Sequence, residues 1–455
     1  MILVVKSRLR RQPMELFHKL FGSLLVFVYH CFDRIVIHGY LTSLSRPEQV
    51  VYFFRHVLGL AVVDKDVLSQ RTNDYKNWVE AYARNHHIPI QWAEKGVRKE
   101  DQVLPALRRM ERKNSYGVYF IYRSMEQGRT FRISVPKFPT KDPNHRILAH
   151  QRSRFTHFYF YVRDEVLGPI IIRVSSFFPF HATYWLNGHS FLEQELNRAQ
   201  VPFRKNDNAF LAVEDPAALQ AAADRLSPAI IRKQLDYWTL ILGPKFSKKE
   251  RGLSSLSRFY SIAQIEYCRN FIFKRHFAIH KIFERSCEIG LWRLTANRIS
   301  EIFGVRLSKR FRGKLATVID QIEHGHHVFR AYWKNGFLKQ YEKFSCFLRN
   351  ELCSNNLRDF GLKKGLDHLD AVRARPSPIA LPSFKRNGST STSTSLCCNG
   401  WLCRSVSVLS AFPASKFTTP GSSVYWKFCS MVVRRLAAGR RNRSTRRFSP
   451  RSGYR

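Results

Sequence analysis

Alternating apolar and polar positions predict the first strands of this chain. The segment 32–41, FDRIVIHGYL, alternates as a short strand or turn does. Further along, 116–124, YGVYFIYRS, and 130–137, TFRISVPK, predict a hairpin whose turn is EQGR at 126–129.

A second and more apolar hairpin is predicted directly after the first. Its strands are 154–164 and 169–180, and they are joined by a tight connection at 165–168, EVLG. Four strands in sequence, with charge on alternate positions, indicate an antiparallel sheet with at least one covered face. Exposed aromatic side chains on such a sheet could stack nucleic-acid bases, although core packing is their commoner role.

Helical periodicity and capping signals predict helices before this sheet. Ser45 and Glu48 form a capping box at the start of a helix through 50–59. A longer helix is predicted over 74–86, and a basic helix around 104–113. The face of the 74–86 helix that we expect in the core carries Tyr75, Trp78, Val79 and Tyr82.

Helices are also predicted after the sheet. Asn187 and Gly188 form a turn, and a helix starts at Ser190. The segment 256–293 carries basic residues at several positions and indicates a basic helical layer. Two further helices are predicted, one opening at Asp215-Pro216 and one over 229–242.

The segment 294–311, LTANRISEIFGVRLSKRF, is similar to a helix-turn-helix. A small residue lets two short helices cross closely, and a glycine supplies the positive φ of the turn. The alternative is an ordinary helix that ends at a glycine cap. The helix-turn-helix positions are Ile299, Ser300, Gly304 and Val305, and the cations of its second helix are Lys309, Arg310, Arg312 and Lys314.

The strongest hairpin signal is Asn335-Gly336, which predicts a type I′ turn between alternating segments. A further strand is predicted at 347–352, FLRNEL. The basic residues of these strands are expected to contact phosphates. They are Arg330, Lys334, Lys339, Lys343 and Arg349.

These elements predict an α+β protein. Its fold is expected to comprise a helical N-terminal region, a central antiparallel sheet, and a helical region whose helix-turn-helix-like segment leads into a β-hairpin unit, followed by a disordered or non-native tail. The expected domains are a basic helical region at 1–113, the sheet with flanking helices at 114–226, a basic helical region with the terminal hairpin at 227–375, and a basic tail at 376–455.

Charge narrows the class of partner. The chain carries 76 Lys and Arg against 34 Asp and Glu, a net charge of +42. This excess is of the sign that attracts a polyphosphate, so nucleic acid is the expected partner, with DNA preferred over RNA. An anionic membrane surface is the weaker alternative.

The sequence favours a cytoplasmic protein. The apolar run near the start, LFGSLLVFVYHCF, is interrupted by His30 and Asp33 and is shorter than the roughly 20 residues of a spanning helix. Nine scattered cysteines form no CxxC pair, so neither a disulfide framework nor a zinc ribbon is indicated. No cofactor is expected from these patterns.

A short motif resembles rolling-circle replication initiators and related nickases. It has the form K-x-Y-[DE]-K followed by [LI]-R-x-E, from Lys339 to Glu351. The resemblance implies a divalent metal and a tyrosine nucleophile, Tyr341 or Tyr332, whereas Gly325 within HGHH departs from the pattern. The implied metal ligands are His324, His326, His327 and Glu351. The residues therefore leave open whether the protein binds nucleic acid only or also cleaves it.

Four longer blocks resemble a widespread, uncharacterised family of bacterial proteins. They begin FDRIVIHGYL, RTNDYKNWVE, FFPFHATYWL and YEKFSCFLRN, and the resemblance covers about residues 14–373. It implies several copies per genome, an association with mobile elements, and in some members a winged-helix C-terminal region. It implies no activity.

The last eighty residues differ from the rest in composition. From 376 to 455 there are 14 Lys and Arg, 16 Ser and no Asp or Glu. A basic nucleic-acid tail is one interpretation, although Trp401, Trp426 and paired Cys397 and Cys398 are unusual in such tails. The alternative is a frameshifted end and hence an inactive element product, which sequencing of the encoding DNA tests.

Overall fold

The computed structural model divides the chain into two compact units. The terminal unit comprises Met1–His30, Cys268–Leu362 and Ala371–Arg455, and the central unit comprises Cys31–Tyr267 and Lys363–Asp370. The architecture is α+β, as the sequence predicts. The predicted domain boundaries stay predictions. The structure describes residues 21–94, 97, 99–253, 256–280, 301–302, 305–306, 316–321, 327–333, 335–360 and 362–374.

A mixed sheet forms the framework of the central unit. Its strand order is β9-β1-β6-β5-β4-β3-β2, with β2 parallel to β3 and antiparallel pairing from β3 through β4, β5 and β6 to β1. A separate small hairpin consists of β7 and β8. The strands are β1 Leu25–Leu41, β2 Ile90–Trp92, β3 Gly117–Ser134, β4 Ile147–Asp164, β5 Gly168–Ser175, β6 Ala182–Leu186, β7 Phe203–Asn206, β8 Ala209–Val213 and β9 Arg258–Phe273.

The helices begin where short polar side chains cap their first turn. Asp64, Asn187, Asp215 and Ser227 each accept a hydrogen bond from a backbone N–H of the helix that follows. The helices predicted near 50–59, 74–86 and 104–113 are present. The second begins more than two turns earlier than predicted, at Lys65. They are α1 Pro47–Tyr52, continued by a π-helical turn at Phe53–Val57, α2 Lys65–Asn85, α3 Lys99–Arg112, α4 Gly188–Arg198, α5 Pro216–Arg225, α6 Pro228–Leu242 and α7 Lys248–Leu253, and α8 Leu369–Ala374 spans the unit boundary.

The N-terminus of α1 differs from the predicted capping box. Arg46 is the N-cap, and its backbone N–H donates to Oε1 of Gln49 over 3.2 Å. Ser45 instead donates its hydroxyl to the carbonyl of Thr42 over 2.9 Å. Pro47 at the first helical position fixes this start, because its missing N–H would be unsatisfied there in any case.

The predicted turn at 126–129 is wrong. Strand β3 runs through it, and Gly128 pairs with Ser153 of β4. A Cβ at Gly128 would lie 2.6 Å from the ring of Phe155, so the glycine admits an aromatic ring instead of forming a turn. The partner of β3 is β4, and residues 135–146 connect the two strands. The second predicted hairpin, β4 with β5, is confirmed.

The predicted helical layer at 256–293 is also wrong over its first part. Residues 258–273 form β9, whose burial alternates and which is rich in aromatic and β-branched side chains. Tyr260 and Ile262 are both 1% exposed. Residues 281–293 lie outside the described residues.

Helices α2 and α6 cover one face of the central sheet. Tyr75 of α2 packs edge-on against Phe158 of β4, and its hydroxyl donates to the carbonyl of Leu242 over 2.8 Å. The indole N–H of Trp238 in α6 donates to Oδ2 of Asp164 over 2.7 Å. Asp164 is 2% exposed, and its other oxygen accepts two backbone N–H groups of the β4–β5 turn. This face therefore carries the core.

The opposite face of the central sheet is covered only in part. Helix α3 packs Val103 and Ala106 against Phe120, Tyr122 and Tyr161 of strands β3 and β4. Beyond this apolar cluster, the strands present polar and charged side chains on the same face. The candidate site described below lies there.

The terminal unit contains a run of consecutive hairpins. Its sheet order is β12-β13-β14-β15-β9-β1, formed with the parts of β1 and β9 that belong to this unit. The predicted hairpin at Asn335-Gly336 is confirmed, since Trp333 pairs with Gly336, and the predicted strand at 347–352 lies within β15. These strands are β12 Ala316–Gln321, β13 His327–Trp333, β14 Gly336–Phe344 and β15 Phe347–Ser354.

The helix-turn-helix-like segment is described at four positions only. There, β10, Glu301–Ile302, pairs antiparallel with β11, Val305–Arg306, which differs from the two helices predicted. β-Branched Ile302 and Val305 favour extended backbone. The rest of the segment lies outside the described residues. Among the described helices, none is long and apolar enough to cross a membrane.

Candidate functional site

The partly open face of the central sheet carries a row of polar side chains. Strand register places His38, Thr183, Arg173 and Tyr159 side by side on β1, β6, β5 and β4. Side chains paired across neighbouring strands point to the same face. The row therefore joins four strands that are far apart in sequence.

Hydrogen bonds connect this row to Glu126 of β3. One oxygen of Glu126 accepts the hydroxyl of Tyr159 over 2.6 Å, and the other lies 3.1 Å from a guanidinium nitrogen of Arg173. Arg173 also donates to Oγ1 of Thr183 over 3.1 Å, the oxygen that lies 3.1 Å from Nδ1 of His38. We call these five residues the Glu126 cluster. The side chains of Glu126 and Arg173 are each 28% exposed.

The Glu126 carboxyl is held in its charged form. Burial raises its pKa, but the hydrogen bond from Tyr159 and the charge of Arg173 outweigh burial and leave that pKa below its ordinary value. Burial and the neighbouring carboxylate raise the pKa of Tyr159 to about 12, so the phenol stays protonated. The cluster therefore contains a fixed carboxylate that is already neutralised by Arg173.

Two histidines beside this cluster are held neutral. Burial, followed by the charge of Arg173, lowers the pKa of His157. Burial, followed by the charges of Arg258 and Arg129, lowers the pKa of His181 to about 4. Guanidinium groups thus surround this region, and a bound anion would relieve the effect that they have on both imidazoles.

The outer part of the β3–β4 hairpin carries unpaired positive charge. We call residues 125–156 the distal hairpin. Arg129 and Arg152 lie directly opposite each other across β3 and β4, and both are exposed. Within the described residues, neither arginine pairs with a carboxylate. Like charges at opposed positions destabilise a sheet. Exposed Arg154, two positions from Arg152 on β4, lies on the same face and adds to this positive region.

The two carboxylates of the distal hairpin are engaged elsewhere. Glu126 pairs with Arg173, and Asp142 pairs with Arg55 of the π-helical turn after α1. The hydrogen bond from Arg55 lowers the pKa of Asp142, so this acid stays ionised and paired. Neither acid is therefore available to neutralise Arg129 and Arg152.

The connecting loop of the distal hairpin exposes apolar side chains between cations. Phe138 is 80% exposed and Val135 is 68% exposed. Exposed Lys137 and Lys141 flank Phe138. Aromatic rings interleaved with cations can stack bases while the cations contact phosphates.

A second polar cluster lies on β14 and β15 of the terminal unit. The hydroxyl of Tyr341 donates to Oε1 of Glu351 over 2.6 Å, and Nζ of Lys339 lies 3.3 Å from the other oxygen. Arg349 lies 3.6 Å from the same carboxylate and donates to Asn270 of β9 over 2.7 Å. We call these five residues the Glu351 cluster. The structure thus brings together Lys339, Tyr341, Arg349 and Glu351 of the predicted nickase motif.

Arg349 lies in the interior and not on a basic surface. It has no exposed area, and its side chain is held by Asn270 and Glu351. The sequence placed it among the phosphate contacts because a charged residue on a strand usually faces solvent. Here a buried carboxylate and amide compensate its charge instead.

The remaining predicted positions are only partly described. Arg330, Lys339 and Lys343 are half-buried on β13 and β14. His327 and Tyr332 lie on β13, where the structure describes the backbone. The other predicted site residues lie outside the described part of the chain. They are Lys309, Arg310, Arg312, Lys314, Lys334, His324 and His326.

A buried group in the central unit could hold a metal ion. Sγ of Cys31 lies 3.3 Å from Nε2 of His189, and Nδ1 of that ring lies 3.0 Å from Oδ1 of Asp33. The direction of the second contact falls short of full hydrogen-bond geometry. Cys31 and His189 belong to a group of buried donor side chains whose ligand atoms lie within 4.8 Å of one another.

Sequence reasoning missed the Glu126 cluster and the distal arginines for one reason. The sequence predicted a turn at 126–129, and such a turn would not allow Arg129 to pair with Arg152. In the structure β3 continues through this segment and the two arginines pair. Strand β3 runs from 117 to 134 without a break, but its burial alternates only from about 124 onward, after five consecutive buried apolar residues. The spacing of Cys31 and Asp33, two apart on a strand, also indicates that both side chains share a face.

Comparisons with protein-family models, with curated proteins and with solved structures found no match.

Proposed function

We propose that this chain is a nucleic-acid-binding protein, with DNA as its partner, and that the distal hairpin contacts the sugar–phosphate backbone. The observation that carries the proposal is the opposed, exposed pair Arg129 and Arg152. Two guanidinium groups on neighbouring strands are costly alone and are stabilised when a phosphate lies between them. The net charge of +42 supports the same partner.

The surroundings of the arginine pair suit a nucleic-acid strand. Phe138 offers an aromatic face to a base, and Lys137 and Lys141 offer cations to the adjacent phosphates. In keeping with the resemblance of its sequence, we assign the protein to a bacterial mobile element. We assign it to the cytoplasm because its scattered cysteines form no CxxC pair.

Salt dependence tests this proposal. Binding of the full chain to a labelled DNA duplex is measured by fluorescence anisotropy at several salt concentrations. Each phosphate contact contributes about 0.9 to the slope of log affinity against log salt. The double variant Arg129→Gln with Arg152→Gln should bind more weakly, with a slope smaller by about 2.

A matched variant controls for net charge. Lys65→Gln with Arg204→Gln removes two exposed cations of the same unit outside the hairpin. This control should keep the wild-type slope. Equal losses in both double variants would contradict the assignment to the hairpin, and a salt-independent affinity would contradict nucleic-acid binding itself. A matched RNA duplex should bind more weakly than the DNA.

A second candidate function is a DNA nickase that acts through Tyr341. The observation that favours it is the 2.6 Å hydrogen bond from the Tyr341 hydroxyl to Glu351. In this reaction the phenolic oxygen attacks the phosphorus, its proton passes to Glu351, and the displaced strand end leaves as a hydroxyl after protonation. The divalent metal implied by the sequence resemblance would activate the phosphate, with His324, His326, His327 and Glu351 as the predicted ligands.

Adduct formation tests the nickase. The protein is incubated with single-stranded DNA and Mn²⁺ or Mg²⁺ and then denatured before electrophoresis. A covalent adduct should form and should be lost in Tyr341→Phe. Tyr159→Phe is the matched control, because Tyr159 also donates to a glutamate over 2.6 Å. Absence of an adduct in the wild type excludes Tyr341 and Tyr332 as nucleophiles on this substrate.

A further inference from the structure

The group around His189 is built by a close contact between α4 and β1. Gly188, the first residue of α4, lies so near β1 that a Cβ would be 2.1 Å from the carbonyl oxygen of Phe32. Only glycine permits this approach. The side chain of Asn187 accepts the backbone N–H of His189 over 2.8 Å and fixes the first helical turn. Together these contacts hold the imidazole of His189 against β1.

Two side chains of β1 approach the imidazole of His189. Cys31 and Asp33 are two residues apart on β1 and point to the same face. Nε2 of His189 lies 3.3 Å from Sγ of Cys31, and Nδ1 lies 3.0 Å from Oδ1 of Asp33. Asn208 in turn donates to the same oxygen of Asp33 over 2.6 Å. One ring nitrogen therefore faces a carboxylate and the other faces sulfur.

Burial decides what this arrangement can do. His189 has no exposed area, Cys31 is 3% exposed and Asp33 is 9% exposed. A cysteine, histidine and aspartate in this order could activate a thiol nucleophile, but a macromolecular substrate cannot reach a sulfur so deeply enclosed. A closed site with sulfur and nitrogen donors is instead characteristic of structural zinc.

We infer that Cys31 and His189 are ligands of a structural zinc ion in the central unit, and that Asp33 orients His189 from behind. In a tetrahedral site with Zn–S of about 2.3 Å and Zn–N of about 2.0 Å, the two donor atoms lie about 3.5 Å apart. The observed separation of 3.3 Å is close to this value. The same buried group contains one further donor side chain, so side chains supply three of the four positions and a water molecule would take the fourth.

The role of Asp33 follows from the chemistry of zinc-bound imidazole. A histidine that binds metal through Nε2 usually donates its Nδ1–H to a carboxylate, which fixes the tautomer and strengthens the ligand. Oδ1 of Asp33 lies at hydrogen-bond distance from Nδ1, though off the ideal direction, and Asn208 donates to the same oxygen. Asp33 is therefore a positioning residue and not a ligand. This inference is independent of nucleic-acid binding.

Metal content of the full chain tests the inference. Protein purified under reducing conditions is incubated with zinc, passed through a desalting column, and measured by elemental mass spectrometry. Wild-type protein should retain one zinc per chain, and both Cys31→Ser and His189→Gln should lose it. Asp33→Asn should still bind zinc but about 10- to 100-fold more weakly, in a competition with a chelator.

Cobalt provides a readout that does not depend on these variants folding alike. Wild-type protein loaded with Co²⁺ should show the thiolate-to-cobalt charge-transfer absorption of a sulfur ligand. Cys353→Ser and His157→Gln are matched controls, because both remove a buried side chain of the same type from outside the group. Both controls should retain zinc. Wild-type protein that retains no zinc and shows no thiolate absorption with cobalt would overturn the inference, as would full zinc in Cys31→Ser.

Discussion

The Glu126 cluster and the Glu351 cluster use the same contacts in different surroundings. In each, a tyrosine hydroxyl donates to a glutamate over 2.6 Å and an arginine lies beside the carboxylate. Glu126 and Arg173 are both 28% exposed, whereas Glu351 is 6% exposed and Arg349 has no exposed area. A buried pair is costly to break, and a half-exposed pair remains accessible to a ligand. The same contacts are therefore expected to contribute more to stability in the terminal unit than in the central unit.

The largest expected difference between the two clusters is in stability. Glu351→Ala leaves Arg349 buried without its carboxylate and should lower the free energy of unfolding by about 3–5 kcal/mol. Glu126→Ala leaves Arg173 partly hydrated and should cost about 1 kcal/mol or less. Urea denaturation of both variants at one pH checks this prediction. Equal losses would show that burial does not separate the two clusters.

Acid should weaken the histidine-containing central unit. The pKa of His181 is about 4 in the folded protein, below the ordinary 6.5 of the unfolded chain, so unfolding takes up a proton between these values. The stabilising contribution is present above pH 6.5 and is lost as pH falls toward 4. Between pH 7 and pH 5 this one group should cost about 2 kcal/mol of stability.

Substitution identifies the histidine that is responsible. His181→Gln should show a flatter fall in the urea midpoint between pH 7 and pH 5 than the wild type. His145→Gln, which changes an exposed histidine of the connecting loop, is the control and should follow the wild-type curve. A fall that is unchanged in His181→Gln would contradict the low pKa of that imidazole.

Removing one hydroxyl should change the charge balance of the Glu126 cluster. Tyr159→Phe deletes the hydrogen bond that helps to keep the pKa of Glu126 low, so that pKa should rise toward or above its ordinary value. The loss of stability should be about 1 kcal/mol. Carboxyl chemical shifts followed by NMR against pH measure the change. A pKa of Glu126 that is unchanged in the variant would show that Arg173 alone sets it.

The smallest expected effect has the opposite sign. Arg129→Gln with Arg152→Gln removes two opposed like charges and should stabilise the protein by a few tenths of a kcal/mol at low salt, since each such pair is worth about 0.2–1 kcal/mol. The gain should fade as salt screens the repulsion. Thermal denaturation at two salt concentrations checks it. A clear loss of stability would mean that the arginines serve folding and not binding.

Strands with uninterrupted alternation were predictable from the sequence. The β4–β5 and Asn335-Gly336 hairpins fall where the alternation and turn residues place them. The turn predicted at Gly128 was wrong because sequence alone does not distinguish a glycine that makes room for an aromatic ring from a glycine in a turn. The strand β9 was missed because the basic residues of 256–293, most of which follow the strand, are typical of a surface helix.

The two clusters differ in how far sequence could find them. Lys339, Tyr341, Arg349 and Glu351 lie within thirteen residues on one hairpin, so a local motif identified them together. His38 and Thr183 of the Glu126 cluster are 145 positions apart and meet only through the order of the strands. The burial of Arg349 was not predictable. Its side chain is held by Asn270, which lies on a strand that the sequence predicted as a helix.

Photochemical cross-linking tests nucleic-acid binding by the distal hairpin most directly. A DNA oligonucleotide is bound to the full chain at low salt and irradiated, and the cross-linked peptides are identified by mass spectrometry. We expect cross-linked peptides from 125–156, with Phe138 among the modified positions because its ring is 80% exposed. Cross-links confined to other segments, with none in 125–156, would contradict it.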